Sequence, residues 1–470
     1  MKTVINKLFF MKNFPKPIKF KKLLGPSFII LALGLGSGEV ILWPYLSSNY
    51  GLGIAWGAVL GITFQFFMNM EIERYALVKG ESVFVGMNKL WKWAAHWFIL
   101  STFLGFGLPG IVAASAQVFS FVFGISNFKW IAILFLLIIG LILSVGKTVY
   151  DMMERITKTI IFLGIPFILV LTFVLAKGAD WQALAQGIVG VGDGYLFWPT
   201  GMGFALFLGA FAYAGAGGNL NLTQSIYIRE KGYGMGKYSQ KIAGLFRSDK
   251  KNKQLKLTGE EFEINKENIS NFKQWWKQVN LEHLLVFWFL GALAMCLLML
   301  LSYMTTYGLE NNMQGIMFVI NEGITIGIKL APWVGSLFLF VVAIMLFQTQ
   351  LGVLDSTSRI MSENFALKKL KGKTDGSINL SKIYFIFLWA QIAFGITLFL
   401  FNIYEPKFLI LLGAVINAVA MFVHIGLVNW MNYKILPQEF QAKLWRKLII
   451  VGIFLFFGFF SVMTVLDKVF

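Results

Sequence analysis

Gly34-Leu35-Gly36-Ser37-Gly38-Glu39 lies in the middle of the first apolar block of this chain, and Gly215-Ala216-Gly217-Gly218-Asn219 in the middle of the sixth. Glycine is a poor helix former, and several glycines beside Ser, Asn or Glu invite local unwinding. Close helix packing through small residues competes as the explanation for either stretch alone. Two such stretches five blocks apart, each with a polar residue attached, fit unwinding better. In membrane proteins built from two inverted five-helix repeats, blocks 1 and 6 correspond, and interruptions at corresponding positions point to a binding site near the bilayer midplane.

The blocks themselves are unambiguous. Of 470 residues, 57% are hydrophobic and only 14% charged, against about 25% charged in soluble domains. The apolar residues fall at 26–48, 52–78, 95–121, 128–148, 157–177, 201–228, 284–306, 330–352, 383–403, 406–432 and 446–466. Such lengths suit a helix crossing a bilayer. In lipid only helices and closed barrels satisfy every backbone polar group, and continuous apolar runs select helices. The chain reads as an all-α membrane protein with about eleven transmembrane helices.

The net charge of +18 does not mark a nucleic-acid binder, because the basic residues sit in alternate loops, as the positive-inside pattern requires. Residues 1–24 carry seven lysines and no acid. On the same side fall Arg74, Lys79, Lys89 and Lys92, then Lys147, Arg155 and Lys158, then 229–280 with twelve basic and six acidic residues. Arg359, Lys368, Lys369, Lys371 and Lys373 follow, and finally Lys434, Lys443, Arg446 and Lys447. The other side holds only Lys129, Lys177, Lys329, Lys407 and Lys468. This places the N-terminus inside and the C-terminus outside, in a cytoplasmic membrane. The first block has no small-residue cleavage site, so a cleaved leader is not expected there. The expected layout is a basic arm (1–24), a first repeat (25–178), a second repeat (200–432) containing the loop 229–280, and a final helix (433–470). In that loop Gly232 to Lys237 lacks the strand and the Ser or Thr of a phosphate loop, and reads as a flexible exit from helix 6. Trp275 and Trp276 are expected at the membrane interface. Cys296, the single cysteine, reads as a small hydrophobe.

Glu39 stands about fourteen residues into an otherwise uncharged span, where an ionisable group costs several kcal/mol unless solvated or paired. It is a candidate cation ligand or proton carrier, or a cap of the second half-helix. Softer candidates are Asn219, Asn221, Thr223, Gln224, Gln348, Gln350, Asn417 and His424. Glu71, Glu73 and Arg74 near the inner end of helix 2, and Asp355 with Arg359 near that of helix 8, read as gate or packing ion pairs. His96, His283 and His424 are scattered, and no paired-carboxylate or H-E-x-x-H motif occurs at membrane depth, so neither an enzyme nor a cofactor is indicated.

Gly25-Pro26 through Gly38-Glu39 resembles helix 1 of the Nramp divalent-metal transporters. Arg74-Tyr75-Ala76-Leu77-Val78-Lys79-Gly80-Glu81 is similar to the end of that family's helix 2. Asn219-Leu220-Asn221-Leu222 with Ser225 and Arg229 is similar to its helix 6, and Gln348 through Glu363-Asn364-Phe365 to its helix 8. The resemblance runs from residue 25 to about 435. It implies a LeuT-like fold of 5+5 inverted helices plus one, broken in helices 1 and 6, with the cargo between them.

The chain departs from that pattern at the metal site. Gly36 replaces the ligand Asp, Ser37 the Pro, and Glu39 the ligand Asn, while Gly38 is kept. Ala216-Gly217-Gly218 replaces Met-Pro-His, and Thr223 the following His. Loss of the thioether weakens preference for softer metals, and loss of both histidines removes residues that titrate near neutrality. The expectation is a secondary transporter that moves a divalent cation, such as magnesium or manganese, by alternating access. Glu39 supplies charge, carbonyls near Gly36 and Ala216 supply oxygens, and Asn219, Gln348 and Asn417 complete a polar pocket. The alternative cargo is a small polar organic solute, an amino acid or nucleobase. The bilayer, the cargo and a coupling proton or ion are the expected partners, with oligomeric state left open.

Overall fold

The structure, a computed structural model, describes residues 11–20, 23–145, 148–242, 255–309, 312–370 and 377–469, without the side chains of 377 and 467–469. Lys147, Lys371, Lys373, the side chain of Lys468 and residues 243–254 of the long loop lie outside the described residues.

Ten helices among the described residues are long and apolar enough to cross a membrane. In chain order they are span 1 (Pro26–Tyr50), span 2 (Leu52–Lys79), span 3 (Ala94–Val122), span 4 (Phe128–Val145), span 5 (Val149–Leu175), span 7 (Lys266–Thr306), span 8 (Pro332–Lys369), span 9 (Leu380–Leu400), span 10 (Pro406–Ile435) and span 11 (Leu444–Leu466). Span 6 completes the eleven in two short pieces, Phe204–Ala212 and Thr223–Lys231, with a 3-10 turn, Gly218–Leu222, between them. Three short α-helices among the described residues, Val83–Leu90, Gly178–Ile188 and Met317–Lys329, lie between spans.

Hydropathy locates the lipid layer and not the ends of the helices. Span 5 starts eight residues before its apolar block, where the Thr148 side chain accepts from the Asp151 amide and caps the first turn. Span 8 continues seventeen residues past its block. Its thirty-eight residues make about 57 Å of helix, nearly twice the hydrocarbon thickness. The extension carries Asp355, Arg359 and Glu363, all buried inside the protein. Span 7 is entered through Lys266–His283 and a π-helical turn, Leu284–Phe289, without a loop.

Span 1 is enclosed on every side: all of its most apolar window is buried, against 33% for spans 4 and 5 and 28% for span 11. Span 8 packs on spans 1, 3 and 9, and span 10 on span 3, span 11 and the first half of span 6. Spans 1, 3, 6, 8 and 10 therefore surround the centre.

Both anticipated interruptions are present, in different forms. In span 1 the α-helix stops at Gly34, turns through Leu35 and Gly36, and resumes as a π-helix over Ser37–Leu42 before Trp43–Tyr50. The gap is narrower than 34–39. In span 6 the α-helix ends at Ala212, and Gly215, Gly217 and Gly218 take φ of 137°, 75° and 51°. These are left-handed conformations that glycine adopts without penalty.

The Gly232–Lys237 segment is a packed turn and not a flexible exit. Gly234–Tyr238 form a 3-10 turn with Tyr233 to Gly236 buried, and a Cβ on Gly234 would stand 2.5 Å from Leu77 O. Trp275 is not at the lipid interface either. It is 1% exposed and donates through Nε1 to Pro15 O at 2.8 Å, under the N-terminal arm. Trp276 instead stacks on the Arg74 guanidinium at 3.8 Å.

Candidate functional site

The two breaks meet. The point where a Cβ on Gly34 would lie is 2.5 Å from Glu39 Oε1 and 2.6 Å from Gly215 O, so these two oxygens are at most about 5 Å apart. A Cβ on Gly38 would overlap Tyr213 O, so backbone touches backbone where span 1 crosses span 6. Glu39 sits in the π-helical turn with no exposure, and neither carboxylate oxygen has a hydrogen-bond partner among the described residues. A carboxylate aimed at a neighbouring carbonyl oxygen is repelled, unless something positive or proton-bearing stands between them. π-turns of this kind recur at functional sites.

Gln65 of span 2 organises the span 6 side. Its Nε2 donates to Ala212 O at 2.9 Å and its Oε1 accepts from Gly217 N at 3.1 Å. One amide thus satisfies both ends of the interruption, which explains how unwound backbone survives at this depth. Gly217 is consequently held through its N–H. Ser37 and Ala216 are buried beside these contacts, each 2% exposed. On the opposite side, Gly36 abuts Thr349 of span 8, whose hydroxyl donates to Ala32 O at 3.0 Å. The adjacent Gln348 is buried, with both amide atoms unpartnered among the described residues.

Asn219 and Asn417 act as cross-links. Asn219 Nδ2 donates to Ser101 Oγ at 2.8 Å and Thr102 Oγ1 at 3.0 Å, and its Oδ1 lies 3.4 Å from His424 Nδ1. Asn417 Nδ2 donates to Gly105 O and Tyr213 OH, both at 2.9 Å, leaving Oδ1 without a partner among the described residues. These bonds tie the span 6 break to spans 3 and 10. Thr223 donates to Leu220 O at 2.5 Å, a local bond of its own turn.

The remaining candidates lie farther along spans 2, 6 and 8. Gln348 and Asp355 are seven residues apart on span 8, about 10 Å along the helix. Asp355 binds Arg359 Nε at 2.8 Å and accepts from Tyr227 OH at 3.1 Å and Tyr384 OH at 2.8 Å. Arg359 NH1 donates to Glu230 at 2.7 Å. Arg229 grips Glu363 with two bonds, at 3.0 and 3.1 Å. The second half of span 6, Thr223–Lys231, is thus pinned to span 8 by buried charges. Glu71 pairs with Arg74 at 2.7 Å and with Arg446 at 2.9 Å. Glu73 does not join them. Residues three apart share a helix face and neighbours two apart do not, so Glu73 faces Gln224 and His283 instead.

Gln65, Glu230 and Glu282 were not singled out from the sequence. Gln65 had a visible signal, a polar side chain well inside an apolar span. Glu230 and Glu282 sit at the edges of the polar loop, where carboxylates are ordinary. Among the described residues, no three His, Cys, Asp or Glu side chains gather as a metal-binding group.

No family model matches the chain, and no curated protein matches it in sequence. Solved structures do. A mutant of the Eremococcus coleocola manganese transporter superposes with a TM-score of 0.65 at 12% identity, covering 96% of both chains. Mhp1, a nucleobase-cation-symport-1 family transporter crystallised with bromovinylhydantoin, gives 0.54 at 10% identity over 96% of this chain and 92% of its own. MhsT in complex with L-phenylalanine gives 0.51 at 15% identity over 94% and 98%.

The chain has the fold of these transporters. That fold is the LeuT-like arrangement of inverted repeats, and the breaks in spans 1 and 6 described above fall where it is interrupted. The chain is accordingly a multi-pass membrane protein.

Proposed function

We propose that this chain is a secondary transporter related to the Nramp family, moving a divalent metal cation across a cytoplasmic membrane by alternating access. The observation that carries the reading is the Glu39 carboxylate, buried and unpartnered, within about 5 Å of Gly215 O. A cation between them would satisfy both. Carbonyl oxygens near Gly36 and Ala216, with Gln348 and Asn417 Oδ1, would supply further oxygens. A single carboxylate among carbonyls and amides suits a hard cation such as magnesium or manganese that keeps part of its water. The manganese transporter among the structural neighbours supports this cargo.

The inner ion pairs of Asp355, Arg359, Glu230, Arg229 and Glu363 would form the gate toward the cytoplasm, with Glu71 and Arg74 bracing span 2. Asn219, His424 and Thr223 would hold span 6 in register as it moves. The repeats would be 25–178 and 200–432, with the basic arm and the loop 229–280 inside and the C-terminus outside. The alternation of basic segments supports that orientation.

A small polar organic solute is the second reading. The absence of three gathered metal-type side chains among the described residues favours it, as do the hydantoin-bound and phenylalanine-bound neighbours. In that case Glu39 would face an amine or a ring N–H. Uptake into proteoliposomes of purified protein, with manganese, magnesium and calcium tested beside Glu39→Gln, decides between the two. Saturable flux of any of them that the substitution abolishes establishes the cation reading. No cation flux from folded protein transfers the assignment to an organic solute, to be screened against the same variant.

A further inference from the structure

A second polar cluster lies at the foot of span 1, inward of Glu39 by twelve residues, roughly 15–20 Å of helix. Ser27 Oγ donates to Glu282 Oε2 and lies 2.8 Å from His283 Nδ1. His283 Nδ1 is 3.5 Å from Glu73 Oε1, which also accepts from Gln224 Nε2. The inner half of span 1, span 2, the inner half of span 6 and span 7 therefore converge on one group. All five side chains are at most 1% exposed. The imidazole is sandwiched between Phe287, with centroids 4.6 Å apart and rings 6° from parallel, and Phe66 at 5.6 Å. The π-helical turn of span 7 begins at the next residue.

The cluster has more acceptors than donors. Ser27 has one hydroxyl hydrogen for two neighbours. Glu282 Oε1, Glu73 Oε2 and His283 Nε2 have no partner among the described residues. The groups facing it are few. Arg446 faces Glu73 from span 11 but spends its Nε on Glu71 at 2.9 Å. Lys158 of span 5 and Lys231 at the end of span 6 face Glu282 but are bound to Glu154 at 2.5 and 2.7 Å. The Tyr233 hydroxyl, also near, is unpartnered among the described residues, and that of Tyr150 lies against Glu154. Two carboxylates and an imidazole without a contacting Lys or Arg among the described residues form a unit that shares protons, its titration belonging to the group and not to one residue.

We propose that Ser27, Glu73, Glu282 and His283 form a proton-binding site, distinct from the Glu39 region, whose occupancy latches the inner half of span 1 to span 7. With the proton bound, the hydrogen-bonded bridge through Ser27 is complete and span 1 stays packed. When the proton leaves to water, two uncompensated carboxylates face each other and the bridge opens. The role in gating rests on the transporter reading, whereas the binding of the proton does not depend on the cargo.

The test uses the full chain in lipid nanodiscs and needs no cargo. Ring-nitrogen NMR of histidine-labelled protein can be assigned because the chain has three histidines, with His283→Gln removing one signal. The expected result is a His283 signal that shifts between about pH 5 and pH 9 as the cluster gains and loses its proton, the interval spanning histidine and perturbed carboxyls. The titration moves in Glu282→Gln and in Glu73→Gln. Spin labels at Leu24→Cys and Phe365→Cys, in a Cys296→Ser background, report the position of span 1 against span 8. A longer distance should gain several-fold in population as pH rises, and stay minor at every pH in Glu282→Gln. Should the carboxylate variants fold poorly, Ser27→Ala keeps both acids and should uncouple the distance change from pH. A His283 signal and a distance distribution that both ignore pH overturn the proposal. So does a distance change driven by sodium at constant pH.

Discussion

Gln65 on span 2 and Gly217 in the span 6 break are joined by a 3.1 Å hydrogen bond, while the same side chain reaches Ala212 O at 2.9 Å. Gln65→Leu leaves a buried N–H and a buried carbonyl without partners, each costing about 1–3 kcal/mol. The variant should unfold at clearly lower temperature than the parent and lose transport of whichever solute the parent carries. Thermal unfolding in detergent with parallel uptake checks this; a variant with parental melting and uptake would show that the clamp is incidental.

The crossing of spans 1 and 6 makes a sharper demand. A Cβ on Gly38 meets the backbone oxygen of Tyr213, which cannot move without displacing the break, whereas one on Gly36 meets the Thr349 side chain at 2.5 Å. Overpacking against a side chain typically costs about 1–3 kcal/mol, and against backbone more. Gly38→Ala should therefore yield little folded protein, and Gly36→Ala a folded but weakened one. Size-exclusion profiles of the two ranked by folded yield provide the comparison, and the reverse order would contradict this crossing geometry.

How much of this could be read in advance depended on whether the signal was local. Glu39 and each of the two glycine runs stand out within one apolar block, so the breaks were legible, and the correspondence of blocks 1 and 6 in inverted repeats brought them together. Asp355 and Arg359 are four apart on one helix, so their pairing was legible too. Their third partner, Glu230, comes from 129 residues away, and no local pattern announces it. The bonds from Asn219 to Ser101 and Thr102 likewise span more than a hundred residues. Trp275 was misplaced for the opposite reason. Its composition and position suit the interface, but the N-terminal arm folds over it.

The isolation of Glu39 also makes a stability prediction. Its oxygens have no side-chain hydrogen-bond partner among the described residues, so nothing in the cargo-free protein offsets their burial. Glu39→Gln removes a buried charge and should raise the stability of the cargo-free protein by about 1 kcal/mol, while removing transport. If Glu39 were only a cap of the second half-helix, the same substitution would lower the melting temperature. A thermal scan in the absence of divalent cations separates the two roles by sign.

The network between spans 6 and 8 should respond in the manner of buried ion pairs, where removing one partner costs about 3–5 kcal/mol because it strands the other. Arg359 touches Asp355 at 2.8 Å and Glu230 at 2.7 Å, with all three side chains buried. Arg359→Met leaves two carboxylates facing each other and should be strongly destabilising. Adding Asp355→Leu removes one of them, so the double variant should recover part of the loss. The coupling should be large, because the two residues share one network. A double-mutant cycle on chemical unfolding measures it. Additive effects would mean that Asp355 and Arg359 do not act as one network with Glu230 of span 6.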